Sequence, residues 1–488
     1  MPLAIAQYSA PDPIAIRRLA RKGALWTAFY IASKNAMSLC ATAVLARLIA
    51  PRDYGLIGMV ATLTALLQLS GDLGLSQATV QRKSITTQQV ANLFWLNTGF
   101  GAILWLVCLA AGPLLDWFYR TYELSAICTV LGAGFLINGI AVQPTALMRR
   151  EMRFKELSTC ELLSHACGIA TGITMAIQGC GYWALVCQPL CQQSTRMFLL
   201  CAVARYRPTA PRRGHDTHSL VTFAMYLLFN NLLVYFARNL DCVLIGKVWG
   251  PVELAFYTRA AFMAALPSLL IHDTLDGVMT TALCTMQGDP ERMGLAYRKA
   301  VAATSLIAFP VAIGLVVVAP EAVRLVYGPR WLATIPLLAW LSLAGVFQPI
   351  YHTAGWLYIA AGRSRRCFAF GIYSSSVLAA VFALTVRWHA TGVAIGNALT
   401  WLVTLTFPAL YMAHRAAGLP LRATLDCIWP CLTTAVMMGC AAWFAGVILY
   451  SSGVDWRLVL AAKMTTGACI YWGFNRNRLA ALLAKVLD

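Results

Sequence analysis

Acidic residues are scarce. Only 19 of the 488 residues are Asp or Glu, and all charged residues together make up 12% of the chain. A soluble domain carries about 25% charged residues, so an ordinary water-soluble enzyme is excluded. Long polar stretches are missing too: the longest segment outside the apolar runs is residues 1–22. No separate folded domain fits outside the membrane, and a glycosyltransferase or polymerase with a sizeable external loop is disfavoured. The GxxxxGK[ST] phosphate loop is absent, because Gly246-Lys247 is followed by Val248. That excludes a P-loop ATPase. GxSxG, HExxH and DxD are absent as well. The sixteen cysteines include no CxxC pair or Cys/His zinc spacing. Several lie in apolar runs (Cys40, Cys108, Cys128, Cys167, Cys440, Cys469) and read as small buried hydrophobes, so no metal site is expected.

What the chain has is apolar length. Hydrophobic residues make up 59% of it, and the mean hydropathy is +0.67. The apolar runs predict an all-α integral membrane protein of about fourteen helices: 23–46, 55–77, 89–112, 122–146, 157–177, 183–203, 219–246, 254–282, 300–319, 331–361, 369–386, 392–413, 424–450 and 464–475. Residues 1–22 do not read as a signal peptide, because the apolar stretch after them runs to about Ala50, too long for a signal h-region, and no small-residue cleavage site follows it. Their basic cluster, Arg17, Arg18, Arg21 and Lys22, suggests a cytoplasmic or interfacial segment, with 13–22 as a short surface helix. Lys and Arg number 38, for a net charge of +19. In a membrane protein this excess is topological rather than a sign of nucleic-acid binding. Alternate loops beginning with residues 1–22 hold 25 of these cations, and the opposite loops hold 9. The alternation persists to the end of the chain, which predicts both termini in the cytoplasm.

An internal echo divides the chain. Arg47 to Gly55 and Lys247 to Ala255 share a basic residue, a small residue before Pro (Ala50-Pro51, Gly250-Pro251) and then an acidic residue. Gly112-Pro113 with Phe118-Tyr119 is echoed by Ala319-Pro320 with Val326-Tyr327. These repeats suggest a six-helix lobe at 23–203, a basic linker at 204–218, a second six-helix lobe at 219–413, two additional helices within 424–475 and a tail at 476–488. Parallel halves of this kind build a site at their interface and rock against each other.

Charges inside spans are costly and mark a partner or a wet cavity. The basic ones are Lys34, Arg196, Arg238 and Arg259, the candidate substrate-cavity cations, with Asp241 on the same face as Arg238. Lys34 and Arg238 lie deepest. Arg259 and Asp72 are near enough to span ends to snorkel. Glu161 and His165 share a face at i, i+4 and suit a proton relay or a plain interhelical contact. Asp273 and Asp276 follow Pro267, where a kink can turn polar groups inward. Asp72, Glu161, His165, Asp273 and Asp276 are the candidates for coupling or gating. Cations from both lobes would suit an anionic headgroup such as a diphosphate.

These residues fall in a familiar pattern. Ala46 to Gly55 (ARLIAPRDYG), Asp72 to Ser76 (DLGLS) with Gln81-Arg82, Met148 to Lys155 (MRREMRFK), Gly179 to Val186 (GCGYWALV) and Arg238-Asn239-Leu240-Asp241 with Phe256-Tyr257 and Pro267 resemble the motifs of Wzx-type polysaccharide flippases. That family belongs to the multidrug/oligosaccharidyl-lipid/polysaccharide (MOP) exporter superfamily, and the colanic-acid- and xanthan-like exporters are the subgroup it most resembles. The motif matches run from about residue 44 to residue 267; beyond that the likeness is in hydropathy and topology. The resemblance implies a non-enzymatic flippase in the bacterial cytoplasmic (inner) membrane. It would move undecaprenyl-diphosphate-linked oligosaccharides outward for exopolysaccharide, O-antigen or capsule export, by alternating access around a cationic cavity. It implies membrane lipids, a polysaccharide polymerase and export machinery as partners, no nucleic acid and no cofactor; whether H+ or Na+ is coupled to transport is left open by the sequence. The rival readings are a cation-coupled multidrug antiporter of the same superfamily, which needs unpaired acids in its cavity, and a membrane glycosyltransferase or polymerase.

Overall fold

The computed structural model describes residues 13–68, 86–204, 209–210 and 218–487. Every regular element among them is helical, as backbone groups in hydrocarbon require. Seven stretches among the described residues are individually long and apolar enough to cross a membrane. The chain is a multi-pass helical membrane protein. It divides into two units, Met1–Asn239 with Gly250–Val252, and Leu240–Trp249 with Glu253–Asp488.

The first unit holds α1 (Pro13–Leu48), α2 (Pro51–Gln68), α3 (Thr87–Tyr119), α4 (Leu124–Arg150), α5 (Phe154–Ile177) and α6 (Tyr182–Ala204). α1 is continuous from Pro13, so the expected separate surface helix at 13–22 is its first part. α3 opens with a capping box. Gln89 N donates to Thr86 Oγ1 at 3.2 Å, and Thr86 N donates to Gln89 Oε1 at 3.0 Å, which satisfies two of the donors that a helix start leaves orphaned.

α7 (His218–Ala264) passes from the first unit into the second and bends at Gly250, where φ is +83°. Only glycine adopts that backbone freely, and Pro251 restarts the helix with its fixed φ. The expected turn at 247–253 is therefore this kink. The expected helix 254–282 is broken at Ala265. A new helix, α8 (Leu266–Thr285), starts there with Pro267 in its first turn.

The second unit continues with α9 (Pro290–Val326), α10 (Thr334–Ala360), α11 (Ser364–Thr385), α12 (His389–Leu399), α13 (Thr406–Ala417), α14 (Leu421–Ser451) and α15 (Trp456–Leu487). A π-helical turn, Thr400–Leu405, joins α12 to α13. Asp289 caps α9 by accepting from Arg292 N at 3.0 Å. The core of this unit gathers Tyr297, Phe309, Trp356, Leu357 and Tyr358, with Ala435 and Met438 of α14.

The repeat is visible in the helix ends. Pro51 starts α2, and Pro251 restarts α7. Pro113 lies six residues before the end of α3, and Pro320 six before the end of α9. Both α3 and α9 run on through their prolines, so the expected loops at 113–121 and 320–330 are shorter than the sequence suggests. The expected loop 451–463 also gives way to helix from Trp456.

Candidate functional site

The polar residues of the first unit converge where α1, α5 and α6 meet. α5 and α6 run antiparallel, and each carries a stripe at helical spacing. On α5 the stripe is Glu161, His165, Gly168 and Gly172; on α6 it is Gln188, Gln192 and Arg196. Gly168 and Gly172 form a GxxxG pair that lets the two backbones close up. A Cβ at Gly168 would lie 2.8 Å from both the Gln188 carbonyl oxygen and Gln192 Cβ. That approach brings the polar stripes into hydrogen-bond range.

Two sets of bonds result. Arg196 Nε donates to Glu161 Oε1 at 2.7 Å, in an ion pair whose side chains are 20% and 18% exposed. The same guanidinium donates to Asn138 Oδ1 and Thr145 Oγ1 of α4, each at 3.3 Å. One turn along, His165 Nδ1 lies 3.3 Å from Gln192 Oε1, and His165 Nε2 lies 3.0 Å from Ser38 Oγ of α1. Which ring nitrogen donates follows the tautomer of His165 and the orientation of the Gln192 amide.

α1 lies parallel to α5. Ser38 meets His165, and Trp26 lies beneath the Lys155 ammonium, 5.5 Å from ring centroid to Nζ. This register sets Lys34 level with Glu161. Tyr30, Lys34 and Ser38, spaced i, i+4 and i+8, occupy one face of α1. Tyr30 is within electrostatic reach of Glu161 and Arg196. Lys34 is half-buried, and no described residue offers it a hydrogen bond or counter-ion. α1 contains no acidic residue.

The expected site residues therefore separate. Lys34, Glu161, His165 and Arg196 fall in one neighbourhood. Glu161 and His165 do not bond to each other, since each is engaged by a different residue of α6. Arg196 is already neutralised by Glu161. In the second unit, Asp241 accepts from the Tyr257 hydroxyl at 2.7 Å and from Cys242 N at 2.8 Å. The side chain of Arg238, its expected partner, lies outside the described residues, as do Asp72 and the side chain of Asp273. The guanidinium of Arg259 lies over the Phe262 ring at 5.9 Å. Asp276 accepts from the indole of Trp356 on α10.

One buried pair was hidden by the expected loops. Lys463 of α15 donates to Glu321 of α9 at 2.7 Å, with side chains 6% and 0% exposed. Tyr450 of α14 donates to the same Glu321 Oε1 at 2.7 Å. Among the network residues that sequence reasoning missed, Gln192 and Gln188 had a signal, their four-residue spacing ahead of Arg196. Ser38, Asn138 and Thr145 had none, since a lone hydroxyl or amide in an apolar run is unremarkable. At the start of α2, Arg52 donates to Glu123, just ahead of α4, at 2.6 Å and holds its carboxyl below the usual carboxylate range.

Relatives agree with the motif reading. The lipopolysaccharide biosynthesis protein WzxC of Escherichia coli (strain K12) is 23% identical over 423 residues, 85% of each chain. The teichuronic acid biosynthesis protein TuaB of Bacillus subtilis (strain 168) is 25% identical over 461 residues, 92% of this chain and 93% of that one. Among solved structures, the lipid II flippase MurJ in an inward closed conformation shares the fold. Its TM-score is 0.69 at 13% identity, covering 93% of this chain and 99% of that one. Residues 44–336 match the family described as polysaccharide biosynthesis protein, more than half of the sequence, and the chain belongs to that family.

Proposed function

We propose that this protein is a flippase that carries undecaprenyl-diphosphate-linked oligosaccharides from the cytoplasmic to the external leaflet of the bacterial cytoplasmic membrane, by alternating access. The observation that carries this reading is the charge balance of the first unit's polar seam. Arg196 and Glu161 cancel, which leaves Lys34 as a half-buried cation with no counter-ion among the described residues. An ammonium kept in a membrane span without a counter-ion is expensive; an anionic ligand that reaches it explains its presence. Phosphate oxygens suit it as a point-charge contact. The multidrug antiporter reading needs an available carboxylate for a cationic drug, and Glu161 is already committed to Arg196.

Within this reading, both termini lie in the cytoplasm, the six-helix lobes are the moving parts, and Arg238, Asp241 and Arg259 are the second lobe's candidates for headgroup contact. Polymerase and export machinery act on the product outside. The test is export. Lys34→Ala should abolish polysaccharide export at a normal protein level, with the lipid-linked intermediate accumulating on the cytoplasmic leaflet. Full export by Lys34→Ala would refute the assignment of Lys34. Depletion of the native protein without any such accumulation would refute the flippase reading.

A further inference from the structure

We propose that Asp53 and Glu253 are equivalent positioning residues, one in each repeat. Each ties the helix turn that follows a repeat proline to the start of the helix that ends the same repeat, α6 or α12, so that the first and last helices of a repeat move together during translocation. This rests on the flippase reading above and adds the part that makes each half move as one body.

The second unit shows the contact in full. Pro251 restarts α7 after the bend at Gly250, and Glu253 lies in the turn that follows. Both of its carboxylate oxygens are engaged. Oε2 accepts from Ala390 N, in the first turn of α12, at 3.0 Å, and Oε1 lies 2.7 Å from His389 Nδ1. On the other side of the bend, the Trp249 indole donates to the Val386 carbonyl at 2.6 Å and stacks on the His389 ring, 3.6 Å between centroids. Both arms of the bend thus grip one corner, residues 386–390, although 137 positions separate Glu253 from Ala390. The corner is strained. His389 has φ +61° and ψ −175°, a region open to glycine and costly for other residues. Such a residue persists only where its surroundings over-determine it. The Glu253 carboxylate and the Trp249 ring are those surroundings.

The first unit repeats the arrangement with other residues. Pro51 starts α2 and Asp53 lies in its first turn, as Glu253 follows Pro251. α6 begins at Tyr182, and the residue before it, Gly181, has φ +56°. A Cβ on Gly181 would lie 3.3 Å from Asp53 Oδ2, so this carboxylate rests against the start of α6 as Glu253 rests against the start of α12. The physical cause is common to both. Each carboxylate sits between two helix N-termini, its own and that of the last helix of the repeat, and each N-terminus carries a partial positive charge. The two corners differ at the residue with positive φ. The first unit has glycine there, which adopts that backbone without strain. The second has His389, whose ring adds the contact with Glu253 and the stack on Trp249 that glycine cannot make.

The experiment uses the full-length protein and reads two quantities. One is amide hydrogen exchange, followed by mass spectrometry in nanodiscs. The other is turnover of a short-chain lipid-diphosphate-sugar in proteoliposomes, scaled to the number of molecules that bind it. Glu253→Ala is expected to speed exchange across residues 386–392 by about tenfold or more, because a hydrogen bond to a charged group is lost there, with exchange in the first unit unchanged. Its turnover is expected to fall while KM stays native, since the corner takes no part in headgroup contact. Glu253→Gln keeps an acceptor for Ala390 N, is expected to recover part of both losses, and carries the test should the alanine variant not fold. His389→Gly relieves the strain and keeps the Glu253 cap, so its corner is expected to exchange more slowly than that of His389→Ala, which keeps the strain and lacks the ring. Asp53→Ala is expected to loosen residues 180–186 in the same way. Native exchange at the corner of Glu253→Ala, loosening spread over the whole chain, or a Gln variant no better than the Ala variant overturns the tie. A loosened corner with native turnover overturns the positioning role and leaves the flippase reading standing. Native protein that binds the lipid but never translocates it counts against the flippase reading, and the role in movement falls with it.

Discussion

Removing one partner of the Lys463–Glu321 pair should destabilise the protein by about 3–5 kcal/mol. The magnitude follows from burial: Glu321 is inaccessible, Lys463 is 6% exposed, and no water can replace a lost partner. Lys463→Met leaves a buried carboxylate whose remaining donor is Tyr450. Glu321→Leu leaves an ammonium whose remaining bond is to the Val317 carbonyl, at 3.1 Å. Replacing both with apolar residues of similar volume should recover most of the loss, because the pair's Coulombic gain is largely consumed by desolvation. The coupling energy of the cycle should thus be several kcal/mol. Reversible unfolding in mixed micelles, followed by tryptophan fluorescence, measures all four proteins. The charge-swapped pair, Lys463→Glu with Glu321→Lys, should be more stable than either single reversal. Single variants that cost less than about 1 kcal/mol would refute the reasoning, since losses that small belong to solvent-exposed pairs. The pair joins α9 to α15, with Tyr450 bringing in α14, so its loss should loosen the last two helices first.

Arg196→Ala strands the partly buried Glu161 and should cost about 2 kcal/mol, while Arg196→Gln combined with Glu161→Gln should cost less than the sum of the two single changes; the same unfolding assay reads both. Gly168→Leu should separate α5 from α6 and abolish export with the polar stripes themselves intact, because no neighbouring side chain can yield where the Gln188 backbone closes on the glycine; wild-type export by this variant would refute the close approach. The Arg52–Glu123 bridge depresses the folded pKa of Glu123. Its contribution should therefore be present above the unfolded glutamate value of about 4.3 and be lost as pH falls through the lower folded value. Both side chains are substantially exposed, so Arg52→Ala should cost under about 1 kcal/mol at neutral pH, a difference that vanishes in acid.

The helical membrane fold was legible because its cause is local: apolar length sets each helix. The proline repeat was legible for the same reason, since Pro51 and Pro251 act on their own backbone. Hydropathy misplaced the helix ends at Glu321 and Lys463. A charge at the margin of an apolar run normally marks the membrane surface. Here two such margins meet, their charges cancel, and both helices continue past the point where each would stop alone. Only tertiary pairing of residues 142 positions apart reveals this.

The polar seam shows the same division. Spacing alone put Glu161 and His165 on one face, and that much is correct. It left a proton relay or a plain interhelical contact open, and the contacts seen are interhelical: Gln192 and Arg196, at the same spacing on the antiparallel neighbour, each engage one of the two. The charge bookkeeping changes accordingly. Three deep ionisable residues, Lys34, Glu161 and Arg196, reduce to one net cation, and the helix that carries it contributes no acid to offset it.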